Sequence, residues 1–109
     1  MQDVVRIGDE FCRPAGCDIS SSSCRVNGYW KDESNYEECK TECISDLACI
    51  GIAVSDDTYN YPNRCYVYGT VSSKVGWNSY LQNYFDVHTS TGRNGVDCYR
   101  RQGRALYYH

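Results

Sequence analysis

The segment ECKTECISDLACIGIAV, residues 38 to 54, carries three of the chain's eight cysteines, and no other stretch restricts the fold so strongly. Its first part has a helical period: Tyr36, Cys39, Cys43 and Leu47 recur at spacings of three and four and share a face, while Glu38, Lys40 and Glu42 point away. Ser34 followed by Glu37 has the form of a capping box, and Asp32, Glu33, Glu37 and Glu38 suit the positive end of a helix dipole. A helix is therefore predicted from about residue 35 to 46. Beyond Asp46, β-branched residues at 50, 52 and 54 alternate with small ones, which predicts a half-buried strand. Two cysteines one helical turn apart on the buried side can each reach a different strand.

The cysteines, at 12, 17, 24, 39, 43, 49, 65 and 98, form an even set in 109 residues that contain one Met and two Phe. A chain this size is one domain with a modest core, too small for a catalytic unit plus a regulatory one. Such cysteine usage points to an oxidising compartment and a disulfide framework. Zinc fits poorly, because the helix pair is CxxxC and the histidines, His88 and His109, lie far from it in sequence. A thiol nucleophile fits worse, since an even set leaves none free and neither histidine stands in a cysteine-protease context. No catalytic residue, metal or cofactor is expected, and the chain reads as a non-enzyme.

The opening eleven residues, MQDVVRIGDEF, hold charges at 3, 6, 9 and 10 and no apolar run of signal-peptide or membrane-span length. Either a leader has been removed or the chain is a module of a longer one, so secretion is inferred from the cysteines. The net charge of −3 hides an asymmetry: residues 1 to 57 carry twelve acids against five bases, and residues 58 to 109 two acids against six bases. A uniformly basic nucleic-acid surface is not expected.

Residues 17–24 form a serine-rich loop without periodicity. RVNGYWKD has the content of a short strand, broken at Asn27-Gly28 by a turn-type dipeptide. SDDTYNYPN reads as a turn-rich loop, in which Asp56-Asp57 belongs to a turn rather than to a calcium site. RCYVYG is a second strand, hairpin-paired with the first, with Cys65 and Val67 on one face and Tyr66 and Tyr68 on the other. In the insertion 71–95, KVGWNSYLQNYFDV is ambiguous between strand and short helix, and TSTGRNG reads as a loop. GVDCYRR is a closing strand, and Arg100, Arg101 and Arg104 form a basic cluster in or beside the solvated tail 102–109.

The order FCRPAG, YEECKTECISDLACIGIAV, NRCYVYG, GVDCYRR resembles the PAN/apple family from Cys12 to Arg101, most specifically in the CxxxC helix followed by a cysteine-led strand. The resemblance implies a small disulfide-rich α+β domain, a twisted antiparallel sheet of about five strands cradling one helix. It also implies nested bridges Cys39 to Cys65 and Cys43 to Cys49, and a bridge from Cys12 to Cys98 joining the first and last strands. Cys17 and Cys24 are then left to close the serine loop.

By the same resemblance the function is non-catalytic recognition or adhesion outside cells, with an extracellular protein or glycan as partner. The alternative is a structural subunit of an extracellular matrix or filament, self-associating through tyrosine-rich faces and the opposed charges of its two halves. Eleven tyrosines and two tryptophans exceed what so small a core is expected to bury. The expected binding face is Tyr66 and Tyr68 with the neighbouring Tyr59, Tyr61 and Arg64, and Trp77 in the insertion extends the candidates.

Overall fold

The helix cysteines set the architecture. In the computed structural model, which describes residues 4–8, 11–13, 26–69, 75–80, 87, 89–91 and 95–102, helix α1 spans Tyr36–Ser45 and buries Cys39 and Cys43 completely. Cys39 is bonded to Cys65 and Cys43 to Cys49, the nested pairs named above, and Cys12 is bonded to Cys98. Cys17 and Cys24, with the rest of the serine loop, lie outside the described residues.

Among the described residues the chain forms eight strands around this helix: β1 (Val4–Gly8), β2 (Phe11–Arg13), β3 (Gly28–Lys31), β4 (Gly51–Ser55), β5 (Cys65–Tyr68), β6 (Asn78–Tyr80), β7 (Thr89–Thr91) and β8 (Val96–Arg101). Six of them form one antiparallel sheet in the order β1-β8-β4-β5-β3-β6, and β2 pairs with β7 in a separate ribbon. The fold is a small disulfide-rich α+β domain. β4 and β5 are the hairpin expected from sequence.

Several expectations shift. The helix cap is Asn35, whose side chain accepts from the Glu38 N–H at 2.8 Å, and not Ser34. Both frames satisfy the capping rule, but the Ser34 backbone N–H is taken by the Asn63 carbonyl at 2.7 Å, and its hydroxyl donates to Glu38. That bond and one from Lys31 hold the Glu38 carboxyl below its ordinary range. Leu47 is 77% exposed, because the extended backbone at Asp46 ends the helix and takes Leu47 off its face.

β4 is not half-buried. Ile52 packs with Val4, Tyr29, Val67 and the helix cysteines on one side of the sheet, and Ala53 packs with Val26, Tyr66, Tyr68, Val96 and Cys98 on the other. Ile50, ahead of the strand, joins this second core rather than the first. The helix covers the first face, and the β2-β7 ribbon lies against the second. The Cys12–Cys98 bridge accordingly joins the ribbon to the main sheet, and does not link the first strand to the last. The first strand is β1, from a stretch in which the charges had hidden the Val4 and Ile7 contacts. Thr89–Thr91, read as loop, is β7, and Asn78–Tyr80 resolves its ambiguous stretch as strand, while 81–86 lies outside the described residues. Asn27-Gly28 makes no hairpin turn: Gly28 sits in β3, between Tyr68 and Tyr80 of its neighbours.

Arg101 is not part of a solvated tail. The last turn of α1 has no basic residue of its own, and the Arg101 guanidinium reaches over from β8 to donate to the carbonyls of Cys43 at 2.8 Å and Asp46 at 2.9 Å, with a longer bond of 3.4 Å to Ile44. It adds charged bonds to helix-end carbonyls, of which Cys43 and Asp46 also accept from the Asp46 and Cys49 N–H groups, and puts a cation at the negative pole of the dipole. Arg101→Ala should lower stability by about 2 kcal/mol in urea denaturation, the scale of charged hydrogen bonds. Lysine should restore little of it, since one ammonium cannot reproduce the planar fork. Full rescue by lysine would show that charge alone matters there.

Candidate functional site

The residues expected to bind divide between the two faces of the main sheet. Trp77 is on the helix side, where it meets Tyr29 edge-on at 5.1 Å and takes the Lys31 ammonium over its ring at 5.0 Å. Tyr29 is buried beneath it, and its phenol donates to Asp46 at 2.8 Å and to Glu42 at 3.3 Å. Burial and then the Asp46 bond push this phenol far above the ordinary tyrosine range. Trp77 thus shares no surface with the other candidates.

Tyr59, Tyr61, Arg64, Tyr66 and Tyr68 come together on the opposite face, as alternation along β5 requires. Their roles differ from expectation, however. Tyr66 and Tyr68 are 4% and 3% exposed, stacked nearly parallel with centroids 6.3 Å apart in the second core. They form the floor of the cluster and cannot serve as its contact surface, because the sheet face they occupy is covered. Burial pushes the Tyr66 phenol up to about 12, against an opposing hydrogen bond from Arg64.

Arg64 is the centre. It precedes β5 on the Tyr66 side, and the register that sets Trp30 opposite Tyr66 brings both rings to its guanidinium. The guanidinium carbon lies 3.7 Å from the Trp30 centroid, 4.3 Å from that of Tyr61 and 5.9 Å from that of Tyr66. Nε donates to Asp32 at 2.7 Å and Nη2 to the same carboxylate at 3.4 Å. Burial works to lower the Arg64 pKa, but bonds to Asp32 and Tyr66 outweigh it and hold it above its ordinary value. The arginine is a fixed cation among aromatic rings, worth more here than on open surface because it is largely desolvated.

Tyr59 packs against the second core and meets Tyr61 edge-on at 5.8 Å. Tyr61 itself is 53% exposed. Trp30 and Asp32 were not read as site residues. The alternation in GYWKD puts both on one face, but their placement beside Arg64 depends on β3 pairing with β5 across the hairpin, which spacing does not reveal. The Asp56 carboxylate is occupied within its own turn, accepting from the Thr58 N–H at 2.8 Å and hydroxyl at 2.6 Å.

At the centre of the cluster Arg64 is bonded to Asp32 and packed against rings, and the exposed ring is that of Tyr61. Among the described residues no helix is long and apolar enough to cross a membrane. Against known proteins, the chain matches no family model, no curated protein and no solved structure.

Proposed function

We propose that the chain is a non-catalytic recognition module working outside the cell, of the PAN/apple kind. The observation that carries this reading is the pairing of Cys12, Cys39, Cys43, Cys49, Cys65 and Cys98 into three fully interior bridges, two on the helix side of the sheet and one on the side of the aromatic cluster. Bridges of this kind form and persist in oxidising compartments, and they relieve a thin core of the need to hold a binding loop rigid. The filament alternative relies on tyrosine-rich faces and on the acidic front and basic back meeting between copies. As to the charges, within one chain Arg64 already meets Asp32, and Arg101 already meets the end of α1.

Immobilised, disulfide-intact protein should bind a component of a panel of extracellular ectodomains and glycans saturably, and reduction with alkylation should abolish that binding. Absence of saturable binding, binding that persists after reduction, or turnover of ester, peptide or glycoside substrates that co-purifies with the chain would overturn the reading.

A further inference from the structure

We propose that Tyr61, with Asp32, Asn60 and Asn63 around it, is a subsite for the ring of an uncharged hexopyranose on a glycan, a proposal that rests on the recognition reading above and names its ligand. Among the described residues Tyr61 is the one strongly exposed aromatic side chain, and its loop is locked from several directions. The buried Ser55 hydroxyl donates to the Tyr61 carbonyl at 2.6 Å and accepts from the Arg64 N–H at 2.8 Å. The Ser55 N–H bonds the Arg64 carbonyl at 3.0 Å, the Asp56 N–H bonds Gly95 at 2.8 Å, and Asn63 accepts from Ser34. A ring held this firmly in water adds little to the core. It does lower the ordering cost of binding a partner.

The chemistry around the ring selects a sugar. Arg64 lies over the ring on one side and Tyr59 meets it edge-on, so a ligand would take the exposed part of the ring that these two leave. The axial C–H groups of a pyranose form an apolar, weakly positive patch that suits the negative face of an aromatic ring. Its equatorial hydroxyls project at the rim, where each needs a donor and an acceptor. Asn60 and Asn63 are exposed amides offering both, and Asp32 is an exposed carboxylate oriented by Arg64.

Charge narrows the class. Among the described residues Glu33, Asp56 and Asp57 are exposed around the loop, while Asp32 is paired with Arg64, whose side chain is only 13% exposed. Sulfated or carboxylated sugars would meet net repulsion. A quaternary ammonium would find one face of the ring already taken by the Arg64 guanidinium, 4.3 Å from its centroid. A neutral ring avoids the repulsion and does not depend on a cation–π site.

The test is an amide-shift titration of the ¹⁵N-labelled, disulfide-intact chain with methyl β-glycosides of galactose, glucose, mannose and N-acetylglucosamine, and with a heparin hexasaccharide. At least one neutral glycoside should shift the amides of residues 32–33, 59–61 and 63–64, Tyr61→Ala should weaken it about tenfold or more, and Tyr61→Trp should keep it. Heparin should leave those residues unmoved. An unchanged melting temperature will show that Tyr61→Ala is folded. No local shift with any neutral glycoside, equal shifts in Tyr61→Ala, or preference for heparin would overturn the subsite. A protein partner bound equally by wild type and Tyr61→Ala would overturn it too, while leaving the recognition reading standing.

Discussion

Converting Cys12 and Cys98 together to alanine should destabilise the domain by about 4 to 5 kcal/mol, more than loss of either helix bridge. The chain-entropy argument depends on the length closed, and this bridge spans 86 residues, against 26 for Cys39–Cys65 and 6 for Cys43–Cys49. The corresponding losses for the other two are about 3 to 4 and about 2 kcal/mol. A small domain has about 5 to 15 kcal/mol in all, so the first change brings it near unfolding. Urea midpoints of the three double-alanine variants should follow that order. Hydrogen exchange should add a location: loss of Cys12–Cys98 should expose amides of β2, β7 and the Ala53 layer, and spare those of α1. An inverted order, with the helix bridges dominating, would show that native packing outweighs loop closure.

Gly28→Ala should cost about 3 kcal/mol, the upper range for forcing atoms into a packed interior. A Cβ at that position would stand 2.1 Å from the Val67 carbonyl oxygen and 3.0 Å from the Tyr68 Cα, both backbone atoms of a strand that cannot yield without breaking its ladder. Gly76→Ala provides the contrast. Among the described residues its Cβ would meet nothing within 4 Å, and its φ of +86° charges only the backbone cost of a left-handed conformation. About 1 kcal/mol is expected there. Chemical denaturation of the two variants separates crowding from torsion, and equal losses would show that β3 shifts to accommodate the methyl group.

The parts of the fold legible in the sequence were those whose signal is local. Cys39 and Cys43 at helical spacing, the acids of the first turn, and the alternation from Cys65 to Tyr68 each specify their element within a few residues. What was not legible depends on partners far along the chain. Val4 pairs with Arg101, and until that pairing exists VVRIG is only a short charged stretch. The Asn27-Gly28 dipeptide carries a turn signal, yet its glycine is needed for close approach of β5. At the site, sequence proximity brought Tyr59, Tyr61 and Arg64 together correctly. It misjudged Tyr66 and Tyr68, because strand alternation says which side a ring takes and not whether another layer covers that side.

The pairing of β1 with β8 has a mechanical consequence. The ladder runs from Val4 opposite Arg101 to Gly8 opposite Cys98, and Cys98 is covalently tied to Cys12. Tension applied between residues 4 and 101 therefore pulls on the open end of an antiparallel pair and parts its hydrogen bonds one after another, an easy mode of rupture. It travels only as far as the bridge. On the way the pull must also part the β8–β4 ladder as far as Cys98 and the Arg101 bonds to the end of α1. From Cys98 the covalent path runs through the sulfur–sulfur bond and bypasses the chain between positions 12 and 98, the Tyr61 loop included. A molecule of this design would lengthen slightly under tension while its Tyr61 loop kept its shape.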